Sequence, residues 1–218
     1  MKLSARTIEL LKNFSTINQG MLFLPGKQIS TMSIMKNGFA RAAIEEELPR
    51  RFALYSLPEF LGVLSLFDDP DIDLKDDHMI IKSGSQKVKY YYASEAIIVS
   101  PPEGKTITLK TVDAKLTLSE DVLSQIAKTA AIMRFDVISI SKEGIKAFDS
   151  ATNRNGSGNM INIDVEVETE SDKEFKLKID NLKMLPGDYE VSICEAGITE
   201  FKSVADSNLV YNIPLEKA

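Results

Sequence analysis

The chain has 218 residues, 44% hydrophobic and 27% charged, enough to bury a sizeable core as one large domain or two of ordinary size. One cysteine, Cys194, and one histidine, His78, exclude an internal disulfide, a multi-thiolate metal site and a histidine-rich one. The net charge of −6 argues against a nucleic-acid partner only when averaged. Up to Arg41 the cations Lys2, Arg6, Lys12, Lys27, Lys36 and Arg41 face the one acid Glu9, and a strongly acidic stretch from Glu45 to Asp77 follows.

In chain order, residues 3–17 read as an amphipathic helix. Leu3, Thr7, Leu10, Phe14 and Ile17 recur at three- and four-residue steps, and Leu11 widens that apolar side. Lys2, Arg6, Glu9, Lys12, Asn13 and Thr16 fall on the opposite, wet side, where cations outnumber the anion. Ser4 is placed as N-cap, with Leu3 and Ile8 as a hydrophobic staple. Strands follow at 19–24 and 27–35, with Pro25-Gly26 as their turn. Asn37-Gly38 predicts a type I′ hairpin into a strand at 39–44, since both residues tolerate positive φ. Glu45-Glu46-Glu47 reads as a solvated turn before a strand at 51–55. Residues 57–67 read as a second helix with Pro58 in its first turn, and Gly62 suggests close approach to a neighbouring backbone. Strands at 72–74, 78–82 and 88–93 complete a first domain, residues 1–93.

Residues 94–111, centred on Ser100-Pro101-Pro102-Glu103-Gly104, form the linker candidate, because two prolines stiffen the chain and remove two donors. The second domain, 112–218, replays the first. Leu118-Ser119 repeats Leu3-Ser4, Leu123 stands where Ile8 stood, and Val122, Ile126, Thr129, Ala130 and Met133 rebuild the apolar stripe. Strands are expected at 136–141, 145–149, 160–168, 174–179, 189–195, 198–203 and 209–215, with a mobile polar loop at 153–159 and a short helix at 180–185. Each half therefore reads helix, strands, helix, strands.

Chemistry-bearing motifs fail on inspection. His78 opens a strand, a poor place for a catalytic triad member. Asp69, Asp71 and Asp73 imitate a calcium loop, but Leu74 replaces the required Gly and Ile80 the bidentate Glu. Gly104-Lys105-Thr106 matches the tail of a phosphate-binding loop, but Val99 stands where its first Gly is needed. No cofactor and no metal is expected. With no secretory h-region and no spanning segment, a soluble intracellular protein without a membrane partner is expected.

Several stretches in register resemble the DNA polymerase sliding clamp, or processivity factor, of T4-like bacteriophages. They are Met1-Lys2-Leu3-Ser4 with Leu10-Leu11-Lys12-Asn13-Phe14, Thr16-Ile17-Asn18 and Gly20; Tyr55 and Leu57 with Phe60-Leu61-Gly62 and Leu64-Ser65-Leu66; and Met184 with Pro186-Gly187 and Tyr189. The resemblance implies an α+β DNA-clamp fold: two similar domains, each with two helices packed on antiparallel sheets, assembling into a ring. It further implies a homotrimer whose twelve helices line a hole for double-stranded DNA, with no enzymatic activity.

On that resemblance Lys2, Arg6, Lys12, Lys128, Arg134 and Lys183 would face phosphates without reading bases. The strand at 87–93, with Val88, Tyr90 and Tyr92, would pair with the neighbouring subunit's strand at 160–168, with Ile161, Ile163 and Val165. Ile97, Ile98 and Val99 with Ile213, Pro214 and Leu215 would rim a pocket for short apolar partner tails. The implied partners are the replicative DNA polymerase, an ATP-dependent clamp loader and late-transcription factors, in the host bacterial cytoplasm. Two alternatives compete: a phage structural or assembly protein on duplicated β-sheet domains, and a metal-dependent enzyme using the Asp68–Asp77 acids.

Overall fold

The structure, a computed structural model, describes residues 1–104, 106–153 and 158–216. The chain divides into two compact units, Met1–Lys105 and Thr106–Ala218. The polar loop expected at 153–159 lies, at residues 154–157, outside the described residues, as does Lys105.

The first unit opens with α1 (Ala5–Ile17), whose first-turn Thr7 N–H donates to the Ser4 hydroxyl at 3.2 Å, as the capping sequence predicts. Thr7, Leu10, Leu11 and Phe14 are buried, so the apolar stripe is the core face. Three antiparallel assemblies follow: β1 (Met21–Phe23) pairs with β4 (Phe52–Leu54), β2 (Gly26–Met32) with β3 (Phe39–Leu48), and β5 (Asp71–Leu74), β6 (His78–Ser83) and β7 (Gln86–Tyr91) form a meander. Between β4 and β5 lies α2 (Leu57–Leu64), capped by Ser56 and burying Leu57, Phe60 and Leu64 against its own unit, where it packs on α1.

Three expectations for this unit fail for physical reasons. The β2–β3 connection is not an Asn37-Gly38 type I′ turn, because the positive φ falls on Lys36, at 57°. Ser33 closes the loop instead: its N–H donates to the Gly38 carbonyl at 2.8 Å and its hydroxyl accepts from Asn37 N–H at 2.9 Å. The acids 45–47 lie within β3, not in a turn; the period-two alternation of buried Ile44 and Leu48 around exposed Glu45 and Glu47 carries the strand through them. Gly62 is exposed, and a Cβ built on it meets nothing within 4 Å, so no neighbouring backbone requires it.

In the second unit β8 (Ala114–Leu118) precedes α3 (Glu120–Met133). The strand is absent from the sequence expectation, although Ala114, Leu116 and Leu118 alternate inward with Lys115 and Thr117 outward. Ser119 caps α3, Glu120 and Asp121 occupy its first turn where the macrodipole favours acids, and Arg134 ends it in the left-handed region at φ 59° while Phe135 N–H closes on the Ala130 carbonyl. Of the expected stripe, Ile126 and Ala130 are buried; Met133 is 41% exposed because it sits on the last turn. After α3 come β9 (Val137–Ser141), β10 (Gly144–Phe148), β11 (Met160–Ile163), β12 (Val167–Thr169), β13 (Phe175–Lys178), β14 (Tyr189–Cys194), β15 (Ile198–Ser203) and β16 (Val210–Pro214). One antiparallel sheet runs β11-β10-β9-β13, and the other runs β12-β8-β14-β15-β16 within this unit.

The strand expected at 160–168 is therefore two strands in two sheets: β11 pairs with β10 and β12 with β8. The helix expected at 180–185 is a single 3-10 turn, Ile179–Asn181. So short a segment repays helix nucleation only where tertiary packing supports it. Two buried tyrosines meanwhile take the backbone of Leu185, its carbonyl accepting from the Tyr189 hydroxyl at 2.6 Å and its N–H donating to the Tyr211 hydroxyl at 3.2 Å.

Candidate functional site

The cations singled out in the sequence are not equivalent in the structure. Lys12 lies on the solvent side of α1, opposite Leu10 and Phe14; Arg6 is half-buried on the flank of the helix, and the exposed Lys2 precedes the cap Ser4. Lys2 pairs with Asp69, which holds its ammonium pKa above the usual lysine range, and Arg6 pairs with Glu9 one turn along at 2.8 Å. Lys12 is exposed and has no ion-pair partner among the described residues; the same holds for Lys128 on α3 and Arg134 at its end. Lys183 is exposed in the coil after the 3-10 turn, not on a helix, because the helix expected there is missing. Among the described residues there are three α-helices, and the fourth expected helix is the 3-10 turn Ile179–Asn181; a second 3-10 turn lies at Glu95–Ile97.

Glu46 fixes the start of α1. Its carboxylate accepts from Ser4 N–H and from the Thr7 hydroxyl at 2.5 Å. Burial pushes its pKa up, but these hydrogen bonds more than offset that and leave the carboxyl below its ordinary value. The side of α1 that carries Lys12 is thus set in place by an acid from β3. The acids that a metal-dependent enzyme would need are occupied individually: Asp69 by Lys2, Asp71 by the Met1 ammonium at 2.8 Å and Asp73 by Lys75 at 2.7 Å. The Met1 ammonium holds the Asp71 carboxyl below the usual carboxylate range.

The two strands expected to meet across subunits are both sheet edges. Within the described residues β7 pairs with β6 alone and β11 with β10 alone. Val88, Tyr90 and Tyr92 turn toward their own unit: the Tyr90 ring stands edge-on to Phe60 at 5.8 Å, and Tyr92 stacks on Phe52 at 5.2 Å. The other face of β7 carries Lys89 over the Tyr91 ring at 4.7 Å, with Tyr91 exposed. Ile161 and Ile163 are half-buried on β11, whereas Val165 lies in the coil between β11 and β12. Gly144 backs β11 closely, since a Cβ there would stand 2.6 Å from the Ile163 carbonyl oxygen.

Of the apolar residues expected to rim a partner pocket, Ile97 is 60% exposed, and Ile98 and Val99 are half-buried in the first unit. Ile213 is buried on β16 opposite Thr199, so its side chain belongs to the core and lines no rim. Pro214 and Leu215 do line a surface hollow of about 610 Å³ in the second unit, beside Phe175, Lys176 and Gly197. Sequence reasoning missed Asn18 and Arg51, which hold the 95–103 segment; their partners lie more than forty positions away and leave no local signal. It also missed the exposed Ile34 and Met35 at the tip of the β2–β3 connection, because the strand expected at 27–35 included them, whereas β2 ends at Met32.

Among known proteins, the family described as DNA polymerase processivity factor matches residues 2–100. The chain is 33% identical over 207 residues to the sliding clamp of Vibrio phage KVP40, covering 92% of this chain and 94% of that one. It is 31% identical over 206 residues to the sliding clamp of Enterobacteria phage T4, covering 90% and 89%. Among solved structures, the proliferating cellular nuclear antigen of Entamoeba histolytica superposes with a TM-score of 0.68 at 16% identity, over 96% of this chain and 94% of that one, a likeness of fold.

Proposed function

Because the chain belongs to the sliding-clamp family of DNA polymerase processivity factors of T4-like phages, we propose that three copies close into a ring around duplex DNA and tether the replicative polymerase. One observation carries the reading: the chain presents two unlike sheet edges, β7 in its first unit and β11 in its second. An edge in one unit that pairs with a different edge in the next subunit makes a head-to-tail contact, and such contacts generate rings when the rotation closes.

The protein acts by topology instead of chemistry, as a non-enzymatic clamp in the host cytoplasm, loaded by an ATP-driven loader and shared with late-transcription factors. Lys12 from the first unit and Lys128, Arg134 and Lys183 from the second supply a mobile positive lining, while Lys2 and Arg6 contribute less because acids neutralise them locally. Contacts to phosphate carry no sequence information, which suits a protein that must slide. Partner tails dock on the apolar edge at Ile97–Val99 and on the hollow at Pro214 and Leu215.

Light scattering across a dilution series tests the ring: the expected mass is three times 24.2 kDa. Asn162→Pro removes an N–H that points away from β10, toward the open edge of β11, and is expected to lower that mass to one chain while the circular dichroism of the monomer persists. A monomer for the parent at every concentration refutes the ring.

A further inference from the structure

The segment 94–104 has linker composition, two prolines and a glycine, and yet it is fastened to the first unit at three points. At its two ends stands Arg51. The guanidinium reaches Glu95 through Nη2 at 2.6 Å and Nε at 2.7 Å, and Glu103 through Nη1 at 2.7 Å. One planar group thus grips two carboxylates eight residues apart, a geometry that lysine cannot reproduce. Between them, Val99 is tied by Asn18. That side chain is buried, and its one Nδ2 donates to the Met32 carbonyl at 2.9 Å and to the Val99 carbonyl at 3.0 Å, while its Oδ1 accepts from Gly20 N–H at 3.0 Å. All three hydrogen-bonding capacities the amide uses serve to join the end of α1, the end of β2 and the linker segment. Ile98 then packs over Gly20, where a Cβ would stand 3.0 Å from its Cδ1. With Ile98 turned in and both ends fixed, Ile97 is left 60% exposed on a segment that cannot fold back over it.

We infer that Asn18 and Arg51 are positioning residues for partner docking: they pre-form the Ile97–Val99 edge on which an apolar polymerase tail sits. This rests on the docking reading given above. Fixing the edge beforehand removes an ordering cost that a free linker would impose on each binding event.

Hydrogen exchange on the full chain tests the pins without any partner. Arg51→Gln keeps a polar but shorter, uncharged side chain and loses both ion pairs; Asn18→Asp keeps the acceptor for Gly20 and loses both donations. Exposed pairs contribute modestly, so Arg51→Gln is expected to speed exchange at the Ile97, Ile98 and Val99 amides about three- to tenfold, with Phe14 and Met79 unchanged. Asn18→Asp is expected to act at least as strongly on the same amides. Processive synthesis by the cognate polymerase on circular DNA is expected to fall in both variants and in Ile97→Asp, which touches neither pin. Unchanged exchange at 97–99 in both pin variants overturns the inference. Faster exchange with undiminished synthesis in Arg51→Gln and Ile97→Asp leaves the pins real and removes the docking role.

Discussion

Replacing Gly144 by alanine should damage the second unit far more than an ordinary surface substitution. Gly144 opens β10 at φ +103°, a region that costs an L side chain about 1–3 kcal/mol. The added Cβ would stand 2.6 Å from the Ile163 oxygen and 3.2 Å from Val165 N, against the 3.4 Å at which contact becomes ordinary. Both obstacles are backbone, so neither can rotate away. The β11 carbonyl must retreat, straining the Ile145–Ile163 pairing and the hydrogen bonds there, each worth about 0.5–1.5 kcal/mol. The combined loss is about 2–4 kcal/mol. With a urea slope of about 2 kcal/mol per molar, the midpoint should fall by about 1–2 M. The buried pair Tyr189 and Tyr211, with ring centroids 6.0 Å apart, reports on this unit through its NMR ring signals, which are resolved from those of Tyr55, Tyr90, Tyr91 and Tyr92 in the first unit. If the alanine variant unfolds within about 0.3 M of the parent, the reasoning from backbone overlap is wrong.

Gly62→Ala should do the opposite, raising the stability of the first unit by about 0.5–1 kcal/mol, because the glycine sits in α2 with ordinary φ and open space; a drop in the thermal midpoint would count against that reading. Glu46 has a folded pKa below its ordinary value, so its contribution is full above about pH 4.5 and is lost as pH falls through the folded pKa. Glu46→Gln should therefore cost about 1 kcal/mol at pH 7 and flatten the acid limb of the stability profile; an unchanged limb in urea titrations from pH 7 to pH 3 refutes it. Lys12→Glu with Lys128→Glu should shorten clamp retention on circular DNA and reduce its salt slope by about one for each phosphate left without its lysine, whereas removing a whole pair, Lys2→Ala with Asp69→Ala, should leave the slope unchanged. Equal slopes in the two double variants contradict the ranking of cations.

What was legible in the sequence is what local chemistry dictates. Ser4 and Ser119 announce their helices because a cap bonds two or three residues ahead, and the stripe through Leu10 and Phe14 is fixed by helical geometry alone. Boundaries that depend on distant partners were not legible. The acids 45–47 look like a turn by composition, yet the strand continues through them, and Glu46 is held by Ser4 and Thr7 some forty residues earlier. Residues 180–185 carry a helical pattern, yet Tyr189 and Tyr211 claim Leu185. The cation set was visible as a charge bias, but which members are neutralised depends on Asp69 meeting Lys2 across 67 positions. The same limit hid Asn18 and Arg51, whose roles exist only once the chain has returned to them.

The break of residues 160–169 into β11 and β12 carries a consequence for how the second unit comes apart. Ile163 is paired with Ile145 in one sheet, and Val167, four residues on, is paired with Leu116 in the other. So short a covalent strap lets neither sheet peel away without pulling on its companion. Melting should accordingly propagate through both at once, as a single cooperative transition, and a fragment cut at Asp164–Glu166 should fail to hold either half.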